Sequence, residues 1–398
     1  MDADRRIGAE RSAAGIGLYL HVPYCLHRCP YCDFNTYAVR TWPEDEYAAA
    51  MRSELDGWVA GDLFRGRCAQ TIFFGGGTPS LFKPSTIGGL IDHAAARLGI
   101  APDAEITLEA NPGTVDREAL AGFRSAGVNR LSFGVQSFDD ALLERLGRRH
   151  SADEARRAVE AAREAGFDNV SLDLIYAIPG QDLAACERDV AAAIEVAPEH
   201  VSAYGLTYEK GTPMERDLAA GRLVPVDEEV ELAMYAAVRG RLRDAGYAHY
   251  EVSNYARPGL PARHNRAYWC GTSYLGLGAG AHSFASHELG GSGWGARWSN
   301  VRDPNAYATA AKSGAGAVAD REELSRSQAM GEACWLGLRQ LEGLDVATFA
   351  DRFGERLEDS FPQAATLVED GLLVWRGERL ALTERGLELA DTVFASFF

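Results

Sequence analysis

Three cysteines fall within eight residues, Cys25-Leu26-His27-Arg28-Cys29-Pro30-Tyr31-Cys32. They follow a short apolar run, Leu18-Tyr19-Leu20-His21-Val22. Three thiolates in a C-x3-C-x2-C spacing can hold three corners of a four-iron cluster and leave the fourth iron open to a ligand. A structural zinc site wants four protein ligands, usually in two spaced pairs. Only one half of that pattern is present, so the spacing favours a reactive iron–sulfur cluster over zinc. The other cysteines, Cys68, Cys186, Cys270 and Cys334, are dispersed and read as small buried apolar residues.

Composition narrows the class. The chain has 398 residues, of which 46% are apolar, and a formal net charge of −17. That length exceeds the roughly 250–300 residues at which a single core stops growing, so two domains are expected. The acidic balance argues against a nucleic-acid or anionic-membrane surface. No run of about 18 apolar residues exists, so no membrane span is expected. Arg5-Arg6 is not followed by an apolar segment, which speaks against a signal peptide. Seven cysteines without a disulfide framework suggest a reducing, cytoplasmic setting.

The cysteines need elements that position them. Apolar runs at 17–22, 71–74, 105–109, 130–135, 169–175 and 200–206 predict six strands. Amphipathic stretches near 44–59, 85–98, 116–126, 139–146, 152–165 and 182–196 predict the helices between them. Ser151-x-x-Glu154 has the form of a capping box, and Gly127 and Gly166 stand where helix-ending glycines belong. Six β-α units in sequence imply parallel strands with right-handed crossovers, an α/β fold. The count suits a partial (β/α)6 barrel, with a closed eight-fold barrel as the alternative that counting leaves open. Polar and glycine-rich residues gather at the predicted strand C-termini: the cysteines, Gly75–Pro79, Glu109–Pro112, Gln136-Ser137 and Asp173. In barrels that rim carries the active site. After residue 207 the alternation fades. A glycine-rich tract at 274–283 precedes a pattern of helix, helix, hairpin and helix at 322–339, 355–370, 372–382 and 383–397, which resembles a winged-helix module.

These motifs together resemble the radical S-adenosylmethionine (SAM) enzymes. The segments 21–25, 109–112, 132–138 and 173–176 are similar to the branch of oxygen-independent coproporphyrinogen oxidases and related heme chaperones. The resemblance implies an arm at 1–16, a radical SAM barrel at 17–255, a connecting region at 256–320 and a C-terminal winged-helix-like domain at 321–398. It implies a [4Fe-4S] cluster on Cys25, Cys29 and Cys32, with SAM chelating the open iron and yielding a 5′-deoxyadenosyl radical on reduction. Gly76, Gly77 and Thr78 match positions that meet the methionine end of SAM, where glycine lets backbone N–H groups approach a carboxylate. Tyr19, Glu109, Gln136, Arg148 and Asp173 match other SAM-contacting positions, and Gly205 matches a small residue beside the adenine.

Two departures separate this chain from the oxidases. Their motif has a fourth cysteine two residues past the third, where this chain has Phe34. Their longer arm before the first strand is also missing. Both absences speak against oxidative decarboxylation. His264-Asn265-Arg266-Ala267-Tyr268-Trp269 matches the H-N-x-x-Y-W signature of the heme-chaperone branch, which makes His264 the expected heme ligand. The resemblance therefore implies heme as cargo, apo-hemoproteins such as respiratory oxidases as acceptors, and pairing into a homodimer. A tetrapyrrole decarboxylase and a non-catalytic iron–sulfur scaffold are the competing expectations.

Overall fold

The computed structural model describes residues 15–289, 293–314 and 316–398. Most of the expected arm, including Arg5-Arg6, lies outside these residues. The first strand, β1, spans Ile16–Val22. The cysteine loop follows, closed by two short paired strands, β2 (Tyr24–Cys25) and β3 (Tyr37–Ala38). Five longer strands come next: β4 (Ala69–Gly76), β5 (Ile100–Ala110), β6 (Arg130–Gln136), β7 (Val170–Tyr176) and β8 (His200–Gly205). Neighbours from β1 through β8 in this series are all parallel. Helices Glu44–Ala60, Pro84–Arg97, Arg117–Ser125, Ala152–Glu164 and Leu183–Glu195 connect them, with the short helix Asp140–Arg145 after β6. Both halves of the Ser151–Glu154 capping box are made, and Gly127 and Gly166 hold φ of 104° and 84°.

Side chains alternate across each strand. On one face Leu131, Phe133, Val135, Val170, Leu172, Val201 and Ala203 are buried in the main apolar core. The opposite face carries Thr107, Glu109, Arg130, Ser132, Ser171, Asp173, His200 and Ser202, and all of these line one cavity. Alternate residues of four neighbouring strands can share a cavity only if the sheet curves around it. The fold is therefore an α/β partial barrel whose hollow is polar.

The chain after 207 is more ordered than the sequence suggests. Two helices, Pro213–Ala219 and Glu228–Asp244, come first. Strands β9 (Ala248–Glu251) and β10 (Asn254–Ala256) then extend the sheet antiparallel beyond β8. Helix Arg263–Trp269 leads to β11 (Tyr274–Leu277), which runs parallel to β1 on its free edge. Strands β12 (His282–Ser286), β13 (Gly295–Asn300) and β14 (Val318–Glu323) continue antiparallel from there. The result is one twelve-stranded sheet, β14-β13-β12-β11-β1-β4-β5-β6-β7-β8-β10-β9.

A second apolar core, including Leu338, Phe349, Leu380 and Phe394, holds the C-terminal part together. Helix Arg326–Arg339 is shorter than expected because 318–323 belongs to β14. The helix expected over 355–370 is broken into Leu357–Ser360 and Gln363–Glu369. Pro362 forces the preceding Phe361 out of helical geometry, at φ −133° and ψ 70°. Strands β15 (Leu344–Asp345), β16 (Leu373–Arg376) and β17 (Arg379–Leu382) form a small sheet in the order β15-β17-β16, with Gly377 in the hairpin turn at φ 62°.

Candidate active site

The polar hollow is a cavity of about 530 Å³ that runs along the strands, from Arg130 and His200 at their starts to Gln136 and Gly205 at their C-terminal ends. Cys25, Cys29 and Cys32 form its mouth, and Gly76, Gly77, Glu109, Gln136, Arg148, Asp173 and Gly205 also line it. The structure thus brings ten of the thirteen sequence-predicted site residues to one cavity. Thr78 stands just behind, buried. Its hydroxyl donates to Cys25 Sγ at 3.6 Å and accepts from Asn111 Nδ2 at 2.8 Å. Arg148 Nη1 donates to Cys29 Sγ at 3.6 Å. Cys32 Sγ is 4.0 Å from Thr36 Oγ1. Each thiol therefore has a polar neighbour. Burial pushes the Cys25 thiol up to about 11 and raises Cys32 as well. Such thiols stay protonated at neutral pH unless a cation lies between them.

Gly76 ends β4 at φ 110°. A Cβ there would lie 2.5 Å from a ring carbon of His21, so both backbone and space require glycine. The backbone donors expected to be open for a ligand are engaged. Gly76 N–H donates to Glu109 Oε2 at 3.1 Å, Gly77 N–H to Val22 O at 2.8 Å and Thr78 N–H to Tyr24 O at 2.9 Å. These glycines bring β4 against the start of the cysteine loop.

Glu109 and Asp173 supply buried acid groups. Burial, with the Asp173 charge added, raises Glu109 to about 8. Burial raises Asp173 to about 6 against the hydroxyls of Ser202 and Ser132. Gln136 lines the cavity from a left-handed backbone, φ 71°, which costs a non-glycine residue about 1–3 kcal/mol. At Gly205 a Cβ would meet Glu231 Oε1 at 3.0 Å and Tyr176 at 3.4 Å.

Tyr19 faces a second cavity of about 500 Å³, together with His21, Tyr268, Tyr274, His282 and Arg302. Asp33, Phe34, Gly76 and Glu109 line both cavities. His264 faces neither. Its ring is buried, with Nδ1 2.7 Å from Thr71 Oγ1 and Nε2 2.8 Å from Tyr268 OH. Glu105 accepts the N–H groups of Arg263 and His264, each at 3.0 Å, and so caps the start of that helix. Burial lowers the His264 ring to about 3. In this conformation both ring nitrogens of His264, the heme ligand expected from the sequence, are hydrogen-bonded to protein.

Sequence reasoning missed Arg130, His200 and Tyr204 as cavity residues. The period-two polar alternation along 107–109, 130–136, 171–173 and 200–204 was the available signal.

A polar-centred partial barrel with three cysteines at its mouth defines a radical SAM protein. The Radical SAM superfamily model matches residues 19–192, and the HemN C-terminal domain model matches 324–389. The chain is 40% identical over 380 residues to a protein named heme chaperone HemW of Mycobacterium tuberculosis, covering 95% of this chain and 93% of that one. The heme chaperone HemW of Bacillus subtilis is 36% identical over 385 residues, covering 95% and 98%. This chain belongs to the HemW family. Its fold is that of the Escherichia coli coproporphyrinogen III oxidase (HemN) structure, with a TM-score of 0.83 at 22% identity over 100% of this chain and 93% of that one. The superfamily implies a [4Fe-4S] cluster and SAM. The residues present fit them: three thiols line one cavity, two of them accept hydrogen bonds, and the buried Arg148 Nε has no partner among the described residues. Among the described residues no helix is long and apolar enough to cross a membrane.

Proposed function

We propose that this chain is a radical SAM heme chaperone, which binds heme and passes it to apo-hemoproteins such as respiratory oxidases. The observation that carries the reading is its likeness, over 95% of its length, to proteins named heme chaperone HemW. Decarboxylation of coproporphyrinogen is not favoured. The position of the oxidases' fourth cysteine holds Phe34, whose ring is 63% exposed at the cavity mouth and offers no ligand.

Cys25, Cys29 and Cys32 would hold the cluster. When bound, it supplies with SAM the one-electron cleavage that gives a 5′-deoxyadenosyl radical. The protein's part is to bind and orient. Thr78 and Arg148 donate to two of the sulfurs, which favours their thiolate form. Gly76, Gly77, Gln136, Asp173 and Gly205 are assigned to the SAM pocket from the cavity side. Glu109, which lines both cavities, and Tyr19, on the second cavity, are assigned to the same pocket. The chaperone acts in the cytoplasm, as a homodimer.

Heme titration into the reconstituted protein tests the function. A saturable Soret band, followed by its transfer to an apo-hemoprotein on mixing, is expected. Protein that takes up no heme overturns the reading. Cysteine-to-serine substitution at 25, 29 or 32 should abolish the iron content, and sedimentation should give the mass of two chains.

A further inference from the structure

We propose that the floor of the polar hollow, at the end away from the cysteines, is a separate ligand site that takes a carboxylate on Arg130. This goes beyond the heme-chaperone reading and does not depend on it. Arg130 opens β6 and is 2% exposed, yet it lines the hollow. Its Nη1 donates to Asn169 Oδ1 at 2.6 Å. Among the described residues Nε and Nη2 have no hydrogen-bond partner, and no carboxylate pairs with the group. Burying a guanidinium without an anion is costly, because nothing offsets its desolvation. The adjacent Nε and Nη2 form the side-on fork that a carboxylate meets with both oxygens.

The groups around this fork are neutral or already engaged. In register, Thr107 of β5 lies beside Arg130, and Ser171 of β7 lies beside His200 of β8. All four line the hollow. Thr107 Oγ1 is buried and has no partner among the described residues. His200 commits Nδ1 to Ser171 Oγ and Nε2 to Tyr250 OH, each at 2.8 Å. Burial and the Arg130 charge hold its ring well below the ordinary histidine value, so it brings no second cation. Asp173, further along β7, accepts from Ser132 Oγ at 3.4 Å instead of pairing with Arg130. One fixed positive charge beside neutral donors suits a monoanion.

Helix Arg263–Trp269 closes the floor. Glu105, two residues before Thr107 on the same face of β5, accepts the N–H groups of Arg263 and His264 with one oxygen each, at 3.0 Å. Ala262 N–H donates to Tyr250 OH at 3.3 Å, on the His200 side. Asn265 lines the hollow from this helix, and its side chain makes no hydrogen bond among the described residues. Its amide is a free donor where Arg130 and Thr107 lack partners. The histidine–asparagine segment thus gains a use without a ligating histidine: His264 anchors the helix, and Asn265 faces the ligand. Six residues of β6 separate Arg130 from Gln136, roughly 20 Å of strand. The floor is therefore distinct from the rim that carries the cysteines.

The test is saturation-transfer NMR of acetate, propionate and butyrate with the full-length, cluster-reconstituted protein. SAM is present, so that the rim is filled, and circular dichroism checks the fold of each variant. Wild type should bind a carboxylate saturably. Arg130→Met should weaken that binding about tenfold or more, the worth of a hydrogen bond to a charged group. Arg130→Lys keeps the charge without the fork and should fall between them. Asn265→Ala removes no contact within the protein, and should weaken binding at unchanged Tm. Absence of saturable binding in wild type overturns the site, as does unaltered binding in Arg130→Met. Should that variant not fold, unaltered binding in Asn265→Ala overturns it. Inorganic phosphate that displaces the carboxylates at equal concentration overturns the ligand class. Hemin affinity should be the same in Arg130→Met as in wild type, and a loss there would give Arg130 to the cargo and overturn the proposal. Wild-type protein that binds carboxylate but no hemin sinks the chaperone reading and supports this one.

Discussion

Arg148 ties Cys29 to the strand ends behind it. Nη1 donates to Cys29 Sγ at 3.6 Å, while Nη2 donates to Asn111 Oδ1 and Gly134 O, both at 2.5 Å. One planar fork therefore sets the position of the cysteine loop against β5 and β6. Hydrogen bonds and positive charge near a cluster sulfur raise the reduction potential of the cluster. Arg148→Met should give a reconstituted protein with a more negative potential and less iron per chain. Arg148→Lys keeps the charge but not the fork, and should fall between the two. A redox titration followed by electron paramagnetic resonance decides it. Equal potentials in all three proteins would rule out a tuning role.

Gly76 makes a second, purely steric demand. Its φ is 110°, and a Cβ would strike the His21 ring at 2.5 Å. The ring cannot easily retreat, because Nδ1 is bonded to Tyr19 OH and Nε2 to Asn35 O, each at 3.0 Å. Gly76→Ala should cost about 2–5 kcal/mol, from backbone strain plus overpacking. Urea unfolding of the cluster-free protein measures this. A loss below about 0.5 kcal/mol, the level of a neutral surface change, would contradict the geometry.

His264 is predicted to matter for stability more than for heme. Both its ring nitrogens are satisfied, and its ring stacks on Phe73 at 5.1 Å. Removing it takes a hydrogen-bond partner from the Thr71 and Tyr268 hydroxyls. His264→Ala should lower unfolding stability by about 2–4 kcal/mol. The pH dependence has a defined sign. The folded value near 3 lies below the ordinary 6.5, so the neutral ring's contribution is intact above pH 6.5 and shrinks as pH falls toward 3. The variant should therefore lose less stability than wild type between pH 6.5 and 4. The Soret position of bound heme should be the same in both, and a shift would return His264 to the ligand role.

Some of this was readable in the sequence, for reasons that particular residues make plain. The strands β1 and β4 to β8 carry apolar runs bounded by turn residues, and their helices carry caps such as Ser151–Glu154. The cysteine spacing and the strand-end glycines are local signals too. Strand β11 was not readable. It is four residues, Tyr-Leu-Gly-Leu, with a glycine inside, and its partner β1 lies more than 250 positions earlier. The role of His264 was also hidden. A motif shows that a histidine is present, whereas its burial depends on Thr71 from β4 and Glu105 from β5, which only the folded sheet brings near.

Glu54 shows how the late strands are fastened to the barrel, and it gives the last prediction. It sits on helix Glu44–Ala60 and accepts from Tyr307 OH at 2.6 Å, Asn300 Nδ2 at 2.7 Å and Gly278 N–H at 3.0 Å. Three segments after residue 270 thus converge on one buried carboxyl. Burial raises it to about 7 despite those donors. A folded value above the unfolded one means that the native state holds the proton more tightly. The stabilisation is full below about pH 4.5 and is lost as pH rises through 7. Over that range the wild type should lose on the order of 2–3 kcal/mol from this group. Glu54→Gln cannot titrate, so its unfolding free energy should lack this component of the slope. Asn300 Oδ1, now without a partner, can accept from the new amide if the Asn300 side chain flips. Urea midpoints measured from pH 5 to pH 8 compare the two proteins. Parallel curves would mean that Glu54 stays ionised in the folded chain.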